Sequence, residues 1–355
     1  MTQKIRVGII GCGKISDIYL KNLSEYTGVN VVACADLEME RAKAKAEKYH
    51  LPHAYNVQQL LSDPEIDLVV NLTIPNVHAS VCIQALEAGK HVYVEKPLAV
   101  TREEGQRILH MAEAKGLRVG CAPDTFLGTG IQTCRQLIMN GEIGTPLSAV
   151  AFMMIPGHEH WHPDPEFYYH VGGGPMFDMG PYYLTAFVEL LGPIQEISGV
   201  TKMAFQQRTI TSQPKSGQKI NVEVPTHVTG SLRFVKGPVV TMITSFDIMA
   251  GTSPLPYIEI YGSLGTLRVP DPNTFVGPVL LKRIGHDQWE EISLTSPYEF
   301  NSRGIGVVEM ANAILHGGKH RANGELAYHV LEAMHGFHDS SNTGSVYRMQ
   351  SQYQL

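Results

Sequence analysis

The sequence lacks a long apolar run and an excess of positive charge. No stretch approaches the ~18 apolar residues that a membrane-spanning helix needs. Lys and Arg number 28 against 34 Asp and Glu, so the formal net charge is −6. A chain of this charge has no electrostatic footprint for nucleic acid or an anionic membrane. We therefore expect neither as a partner.

Cysteine is also scarce, and it occurs without any CxxC spacing. The five cysteines are scattered through the first part of the chain, mostly inside apolar stretches: Cys12, Cys34, Cys82, Cys121 and Cys134. This pattern predicts buried free thiols in a reducing compartment. The chain enters a strand almost at once, with no signal sequence ahead of it. We expect a cytoplasmic protein.

The patterning of apolar residues changes once along the chain and divides it into two parts. The total of 355 residues, 43% hydrophobic and 17% charged, suits two globular domains. Residues 1–122 alternate short apolar strands with helices, which predicts an N-terminal Rossmann domain with a doubly wound parallel sheet. Residues 123–355 carry long runs of period two, which predict a C-terminal α+β domain with a large, mostly antiparallel open sheet. The fold class is α/β.

A glycine-rich turn follows the first strand. Gly11 and Gly13 stand at the first two positions of a GxGxxG-like motif, and Ser16 is the small residue at the third. The first glycine permits the tight turn, and the second lets the backbone approach a pyrophosphate at the next helix's N-terminus. Lys14 and Ile15 lie within this turn, ahead of a predicted helix from Asp17 to Tyr26, and are predicted to contact the same cofactor.

Asp36 stands at the end of the second strand, where an acid hydrogen-bonds the adenosine ribose hydroxyls in dinucleotide-binding folds. A carboxylate there also repels a 2′-phosphate. We therefore expect NAD, with NADP left open. The alternative is that Asp36 caps the following helix, and both roles can hold at once.

A buried strand over residues 91–94 ends abruptly in Glu95, Lys96 and Pro97. In open α/β sheets, ligands lie outside the carboxyl ends of the strands. Lys96 is therefore placed where chemistry would occur. The alternative is a solvated lysine at a strand end.

These features together resemble the Gfo/Idh/MocA oxidoreductase family, named for glucose-fructose oxidoreductase and inositol dehydrogenase. The resemblance covers essentially the whole chain and rests on three stretches: Gly8-Ile9-Ile10-Gly11-Cys12-Gly13, Thr73-Ile74-Pro75-Asn76-Val77-His78 and Ala88-Gly89-Lys90-His91-Val92-Tyr93-Val94-Glu95-Lys96-Pro97-Leu98-Ala99. It implies that Lys96 is catalytic. In the family, the proline that matches Pro97 is often in the cis conformation. The resemblance also implies cofactor contacts from Gly11, Gly13, Lys14, Ile15, Asp36, Thr73, Pro75, Asn76, His78, Glu95 and Lys96.

A second motif lies in the other domain, where a glycine triplet at 172–174 precedes Asp178 and Tyr182. An acid and a phenol four residues apart on one helix face suit proton transfer and hydroxyl binding. The alternative is an aspartate that caps the helix and a tyrosine in the core. The family resemblance implies a proton-transfer residue at the second position, often histidine, and leaves open whether Lys96 or Tyr182 moves the proton.

Two further places are candidates for substrate contact. Asp124 stands where the family often has an Asn-Arg pair, so it is a candidate ligand for a substrate hydroxyl. The stretch 157–170 is dense in His, Trp and Tyr, and we expect Trp161 to stack on a sugar ring and His160 and His162 to bind hydroxyls. A packing loop is one alternative. Metal binding by alternating histidines (158, 160, 162) is another, and we expect no metal, because their spacing is unlike the usual helical pairs and nicotinamide takes the hydride.

The reaction implied by the resemblance is reversible oxidation of a secondary alcohol or hemiacetal carbon on a sugar or polyol. Lys96, Asp178 and Tyr182 are the predicted catalytic residues, and Asp178 and Tyr182 also contact substrate. Two rivals remain: an NAD-dependent glycosidase-like enzyme that oxidises transiently and eliminates, and a catalytically inactive nucleotide-binding regulator. The resemblance also implies a homodimer or homotetramer formed through the C-terminal sheet.

Overall fold

The chain divides into two compact units, and each is built from a discontinuous stretch of sequence. The computed structural model describes residues 4–250, 257–295 and 300–353. One unit comprises Met1–Asp124 and Asn301–Leu331, and the other Thr125–Phe300 and Glu332–Leu355. The segment 301–331 thus packs with the first unit. The functional division proposed from the sequence, 1–122 and 123–355, stays a prediction.

Strands and helices alternate strictly in the first part of the chain. The strands are β1 (Ile5–Ile10), β2 (Val29–Ala35), β3 (His53–Tyr55), β4 (Leu68–Asn71), β5 (His91–Val94) and β6 (Val119–Cys121). The helices are α1 (Ser16–Glu25), α2 (Met39–Tyr49), α3 (Val57–Ser62), α4 (Pro75–Glu87) and α5 (Arg102–Lys115).

The six strands form one parallel sheet in the order β3-β2-β1-β4-β5-β6. The central strands are apolar and buried because helices cover both faces of a parallel sheet. The strand order reverses between β1 and β4, which is where open α/β folds bind their ligands. The predicted Rossmann domain is confirmed.

The remaining elements are numbered in chain order. They are α6 (Thr129–Met139), β7 (Pro146–Met154), α7 (Gly174–Asp178), α8 (Gly180–Leu191), β8 (Ile194–Lys202), β9 (Gln207–Thr209), β10 (Lys219–Asn221), β11 (His227–Phe234), β12 (Val239–Ser245), β13 (Tyr257–Gly262), β14 (Gly265–Val269), β15 (Val279–Arg283), β16 (Glu290–Ile292), α9 (Ile305–His316), α10 (Gly324–Thr343) and β17 (Tyr347–Arg348). Short 3₁₀ turns occur at Thr125–Leu127, His158–His160 and Glu166–Tyr169.

The second unit is organised around a nine-stranded sheet of order β16-β15-β14-β13-β7-β12-β11-β8-β17. Every neighbouring pair is antiparallel except β7 and β12, which are parallel. The predicted large, mostly antiparallel sheet is therefore confirmed. A separate hairpin pairs β9 with β10.

The C-terminal half of α10 packs on this sheet at unusually short range. A Cβ on Gly199 of β8 would lie 2.5 Å from the Phe337 carbonyl oxygen, so glycine is required there. The Gly199 amide donates to Ser340 Oγ at 2.9 Å and joins helix to strand. The same strand alternates buried and exposed residues, so only one face of the sheet contributes to the core.

The five cysteines are free and buried, as their distribution predicts. In the part of the chain that the structure describes, no helix combines the length and apolar character needed to cross a bilayer.

Candidate active site

The glycine turn after β1 packs directly against the backbone that follows β4. Gly11 has φ +103°, and a Cβ there would lie 2.7 Å from the Leu72 carbonyl. Both facts restrict the position to glycine. Gly13, by contrast, faces open space, with no atom within 4 Å of a built Cβ. The turn thus leaves room for a bulky group to approach the backbone at Gly13.

Helix α1 starts beside this open space with no side-chain cap on its first amides. Ser16 is fully buried and its Oγ donates to the Gly13 carbonyl at 2.6 Å, so the small third residue closes the turn. Uncapped amides and the positive end of the helix dipole suit a pyrophosphate. The backbone of Lys14 and Ile15 lies in this segment, and their contact with the cofactor stays a prediction.

Asp36 closes the other side of the turn. Its Oδ2 accepts the Cys12 amide at 2.7 Å, and its Oδ1 accepts the Glu38 amide at 2.9 Å. The N-cap residue of α2 is Glu38, so Asp36 braces the approach to that helix without capping it. Leu37 next to it is 93% exposed, and Ile74 after β4 is 66% exposed. An acid followed by an exposed apolar side chain fits a ribose and an adenine ring.

A buried network holds the segment between β4 and α4. Asn71 Oδ1 accepts both the amide and the hydroxyl of Thr73, and its Nδ2 donates to the His78 carbonyl. His78 is buried; its Nδ1 lies 2.7 Å from the Pro97 carbonyl and its Nε2 lies 3.0 Å from the Thr73 carbonyl. Burial lowers the pKa of His78. The predicted cofactor residues Thr73 and His78 thus belong to one clamp, and Pro75 and Asn76 form the first turn of α4.

Lys96 follows β5, half-buried at the carboxyl end of the sheet. Glu95 orients the chain there, because it accepts the Tyr19 hydroxyl at 2.8 Å and the Lys96 amide at 2.9 Å. The Lys96–Pro97 peptide bond is cis. Since His78 contacts the Pro97 carbonyl, the lysine's backbone is held from both sides.

Asp124 is fully buried, and its Oδ2 accepts the amides of Gly304 and Gly306 at 2.8 and 3.1 Å. These bonds fasten the start of α9 to the end of the parallel sheet. Burial raises the pKa of Asp124 to about 6. Asp124 therefore offers no exposed oxygen in this structure, and its predicted contact with substrate stays a prediction.

Asp178 and Tyr182 lie on either side of a helix break. Asp178 ends the short helix α7, and Tyr182 lies in the first turn of α8, almost fully buried. Met179 between them keeps helical angles, so the two helices are nearly continuous. The side chain of Asp178 keeps 15% exposure, and its Oδ2 lies 2.9 Å from His158 Nε2. The predicted pair of acid and phenol is thus joined by an imidazole from an earlier stretch of the chain.

The aromatic stretch folds as a loop around that imidazole. Trp161 is 51% exposed and its indole Nε1 donates to His158 Nδ1 at 3.2 Å. His160 is exposed. His162 packs edge-to-face against Trp161, with 5.2 Å between the ring centroids. The predicted substrate residues Trp161 and His160 therefore present surface to solvent, whereas His162 is half-buried among aromatic rings.

A buried ionic network anchors this loop. Glu159 pairs with Arg208 at 2.7 Å and also accepts the Tyr169 hydroxyl. Arg208 in turn pairs with Asp247 at 2.7 Å, and Thr226 donates to Asp247. Sequence reasoning missed these residues because Arg208 and Asp247 lie far along the chain from the loop. The spacing of His158 and Trp161, which suits one 3₁₀ turn, was the only local signal.

The alternating histidines do not lie on an extended strand. Residues 158–160 form a 3₁₀ turn, which turns His158 inward and leaves His160 outside. Within the described ranges, no group of three or more His, Cys, Asp or Glu side chains is arranged to hold a metal ion.

The parallel sheet, its reversal at β1 and β4, and the glycine turn define a dinucleotide-binding α/β protein. Residues 5–122 match the family described as "Oxidoreductase family, NAD-binding Rossmann fold", and residues 131–268 match the "GFO/IDH/MocA C-terminal domain". The chain belongs to the Gfo/Idh/MocA oxidoreductase family, a family with sugar- and polyol-oxidising members.

Relatives of known name match parts of the chain. An inositol 2-dehydrogenase of Salmonella typhimurium is 35% identical over 147 residues, which are 40% of this chain and 44% of that protein. An uncharacterized oxidoreductase of Bacillus subtilis is 29% identical over 147 residues, 41% of this chain and 43% of that protein. A myo-inositol 2-dehydrogenase of Thermotoga maritima is 25% identical over 264 residues, 74% of each chain. The matches to the first two relatives thus span less than half their length.

Solved structures share the fold across nearly the whole chain. An NAD binding oxidoreductase from Klebsiella pneumoniae has a TM-score of 0.86 at 20% identity, covering 99% of this chain and 100% of its own. Levoglucosan dehydrogenase in complex with NADH and L-sorbose has a TM-score of 0.85 at 19% identity, with the same coverage. At these identities the likeness establishes the fold.

Proposed function

We propose that this protein is an NAD-dependent dehydrogenase that oxidises a secondary alcohol or hemiacetal carbon of a sugar or polyol. The observation that carries the proposal is the Glu95–Lys96–Pro97 turn. It places a lysine at the carboxyl end of β5, and His78 ties its backbone to the segment that follows β4. Relatives named inositol dehydrogenases support the substrate class.

The glycine turn and Asp36 fit NAD. Uncapped amides at α1 bind the pyrophosphate, and the Asp36 carboxylate accepts the ribose hydroxyls while it repels a 2′-phosphate. Bound nicotinamide supplies the hydride acceptor. The remaining cofactor contacts come from Thr73, Pro75 and Asn76 at the start of α4.

The side chains of this protein hold the substrate and move the proton. Lys96 supplies positive charge that stabilises a developing alkoxide. Asp178, held by His158, orients the hydroxyl group, and Tyr182 or Lys96 accepts its proton. Trp161 provides an exposed aromatic face for a sugar ring, with His160 and His162 beside it.

The test is a screen of monosaccharides, inositols and anhydrosugars with NAD and NADP in parallel, with absorbance of the reduced cofactor as the readout. We expect net NADH formation with a subset of cyclic polyols or sugars. Sugar release from glycosides without net NADH would instead support the glycosidase-like reaction. Tight NADH binding without turnover of any compound would support a regulator.

We also propose that two or four copies assemble through the outer face of the nine-stranded sheet. Val200, Thr229, Ile243 and Phe152 are paired across four neighbouring strands and form one row on that face. Val200 is 64% exposed in the single chain and the other three are partly exposed, although three of the four are apolar. A second copy would bury this row.

Ile243→Glu is the test of that assembly. A carboxylate in the row would be buried without a partner in the oligomer, so the variant should sediment as a monomer at concentrations where the wild type does not. Val235→Glu, at an exposed turn next to β11, is the matched control and should leave the sedimentation coefficient unchanged. Equal sedimentation of wild type and Ile243→Glu would refute this interface.

A further inference from the structure

The ring of His158 lies between a hydrogen-bond donor, Trp161, and an acceptor, Asp178, and these two partners fix its tautomer. The ring is buried, with 7% of the side chain exposed, and its Nε2 lies 2.9 Å from Asp178 Oδ2. Its other nitrogen, Nδ1, lies 3.2 Å from the indole Nε1 of Trp161. All three residues belong to the same compact unit.

The hydrogen-bonding rules leave one tautomer. An indole N–H only donates, so His158 Nδ1 must accept and carries no proton. A neutral imidazole protonated on Nε2 then donates to the Asp178 carboxylate. A hydrogen on Nδ1 would point at the Trp161 N–H, so the hydrogen-bond geometry selects Nε2 as the donor. His158 therefore has no lone pair left with which to take a substrate proton.

We propose that His158 is a positioning residue that keeps Asp178 ionised and aimed, with Trp161 selecting the required tautomer. A charge-assisted hydrogen bond from Nε2–H stabilises the carboxylate over the neutral acid. The consequence for turnover rests on the proposed function, whereas the tautomer is a property of the chain alone.

The surroundings of His158 make the arrangement rigid. Its ring packs against Tyr168 at 4.0 Å and Phe246 at 4.7 Å between centroids. The next residue, Glu159, is locked in the buried ion pairs with Arg208, which also donates to the Phe246 carbonyl. These contacts fix the backbone of the loop and hold the ring between Asp178 and Trp161.

In the part of the chain that the structure describes, several titratable groups lie around this ring. Asp178 faces Nε2 directly, and Tyr168 and His162 pack within the same aromatic cluster. Behind Phe246 and the loop lie Tyr169 and the network of Glu159, Arg208 and Asp247, in which the two carboxylates share one guanidinium. Asp178 lies within hydrogen-bond distance of the imidazole.

The first experiment is independent of activity. Two-bond ¹⁵N–¹H correlation spectra of the full chain labelled with ¹⁵N-histidine, without cofactor, report which ring nitrogen carries the proton. Loss of one signal set in His158→Gln assigns the residue. We expect a protonated Nε2, an unprotonated Nδ1, and a shift of the Nε2 signal in Asp178→Asn. A protonated Nδ1, or an imidazolium at neutral pH, would overturn the proposal.

The second experiment uses the pH dependence of kcat/KM on the best substrate of the screen. His158→Phe fills the space but removes the donor. The second, lower break of the acid limb, at which Asp178 takes up a proton below the limb of the general base, should therefore move up by about one to two pH units. His158→Gln keeps an N–H near the Nε2 position, and its acid limb should stay close to that of the wild type. His170→Phe, a half-exposed histidine of the same segment, is the control.

The outcomes separate the two proposals. An acid limb that does not move in His158→Phe, or that moves equally in His158→Gln, refutes the positioning role. If His158→Phe fails to fold, the Gln variant and the wild-type spectra still decide the question. If the wild type oxidises none of the compounds, the proposed function fails, and the tautomer is judged from the spectra alone.

Discussion

Lys96 is the residue on which the proposed chemistry depends most directly. Its backbone is held by Glu95 and by the His78 contact to Pro97, so the side chain starts from a defined position. We expect Lys96→Ala to lower kcat by about 10³-fold, as the loss of one electrostatic stabiliser does in other sites. NADH binding, measured by fluorescence titration, should stay unchanged.

Lys115→Ala, at the end of α5, is the control for Lys96→Ala and should retain wild-type turnover. Weaker NADH binding in Lys96→Ala would show that the lysine shapes the cofactor site instead of the reaction.

Asp36 has two proposed functions, which are to brace the backbone of the turn and to select NAD. The ratio of kcat/KM for NAD to kcat/KM for NADP separates them. In Asp36→Asn the charge that repels a 2′-phosphate is lost, and the preference of kcat/KM for NAD over NADP should fall by roughly tenfold, or about 1.4 kcal/mol. Distortion of the turn at Cys12 affects both cofactors and cancels in the ratio. Asp63→Asn is matched, because Asp63 Oδ1 accepts the Glu65 amide at 2.8 Å in a similar turn. An unchanged ratio would assign Asp36 to bracing the backbone alone.

Single residues with a local pattern were predictable from the sequence, and those defined by distant partners were not. Gly11, Asp36 and Lys96 each come directly after a strand. Their position at the carboxyl end of the sheet is therefore predictable from chain order. His158 and Glu159 acquire their roles from Asp178, Arg208 and Asp247, which no local spacing connects to them. Asp124 is another such residue, because its hydrogen-bond partners are the amides of Gly304 and Gly306, which are remote in sequence.

At the scale of elements, His78 joins helix α4 to the turn after β5. A neutral imidazole can donate to only one of the two carbonyls it contacts, and the shorter contact is to Pro97. His78→Leu leaves both carbonyls without this partner and loosens the turn. We expect NADH to bind roughly tenfold more weakly, from a loss of about 1–2 kcal/mol.

His110→Leu, on the exposed side of α5, is the matched substitution and should leave the NADH dissociation constant as it is. If His78→Leu binds NADH like the wild type, the clamp contributes to folding only.

The long elements were predictable and the short ones were not. The sequence predicts a helix from Thr101 to Lys115, and α5 begins one residue later because Thr101 caps it in a capping box with Glu104. Three of the short strands, β3, β9 and β10, carry too few residues for a period to be seen. Their existence depends on pairing with other strands.

At the scale of the whole molecule, Asp124 links folding stability to pH. The pKa of Asp124 in the folded state is about 6, above the ordinary value of 3.8. The fold therefore favours the protonated acid, and its contribution to stability declines as pH rises from about 4 to about 6. A shift of about two pKa units corresponds to about 3 kcal/mol.

Asp124→Asn stays neutral at every pH and should lack this decline. The measurement is the free energy of unfolding in urea at several pH values, expressed as the difference between variant and wild type. That difference should rise by about 2–3 kcal/mol between pH 4 and pH 7. If the difference in unfolding free energy stays constant with pH, Asp124 is ionised in the folded state without a loss of stability.

The architecture of the molecule was largely predictable because two different periodicities occupy two different parts of the chain. Alternating strands and helices specify the parallel sheet, and runs of period two specify the antiparallel one. The return of 301–331 to the first unit was not predictable, because it depends on contacts such as the Cys121 amide donating to the Ala322 carbonyl. Such pairings join residues that are remote in sequence.

The buried ion pairs beneath the aromatic loop have a consequence for how this protein can diversify. Glu159 secures the loop through its ion pair with Arg208, whereas the side chain of His160 is exposed to solvent. Substitutions at position 160 can therefore alter the exposed surface of the loop without removing the contacts that keep it folded. A library randomised at position 160, with 158, 159, 161 and 162 kept, would sample new substrate preferences on an intact scaffold.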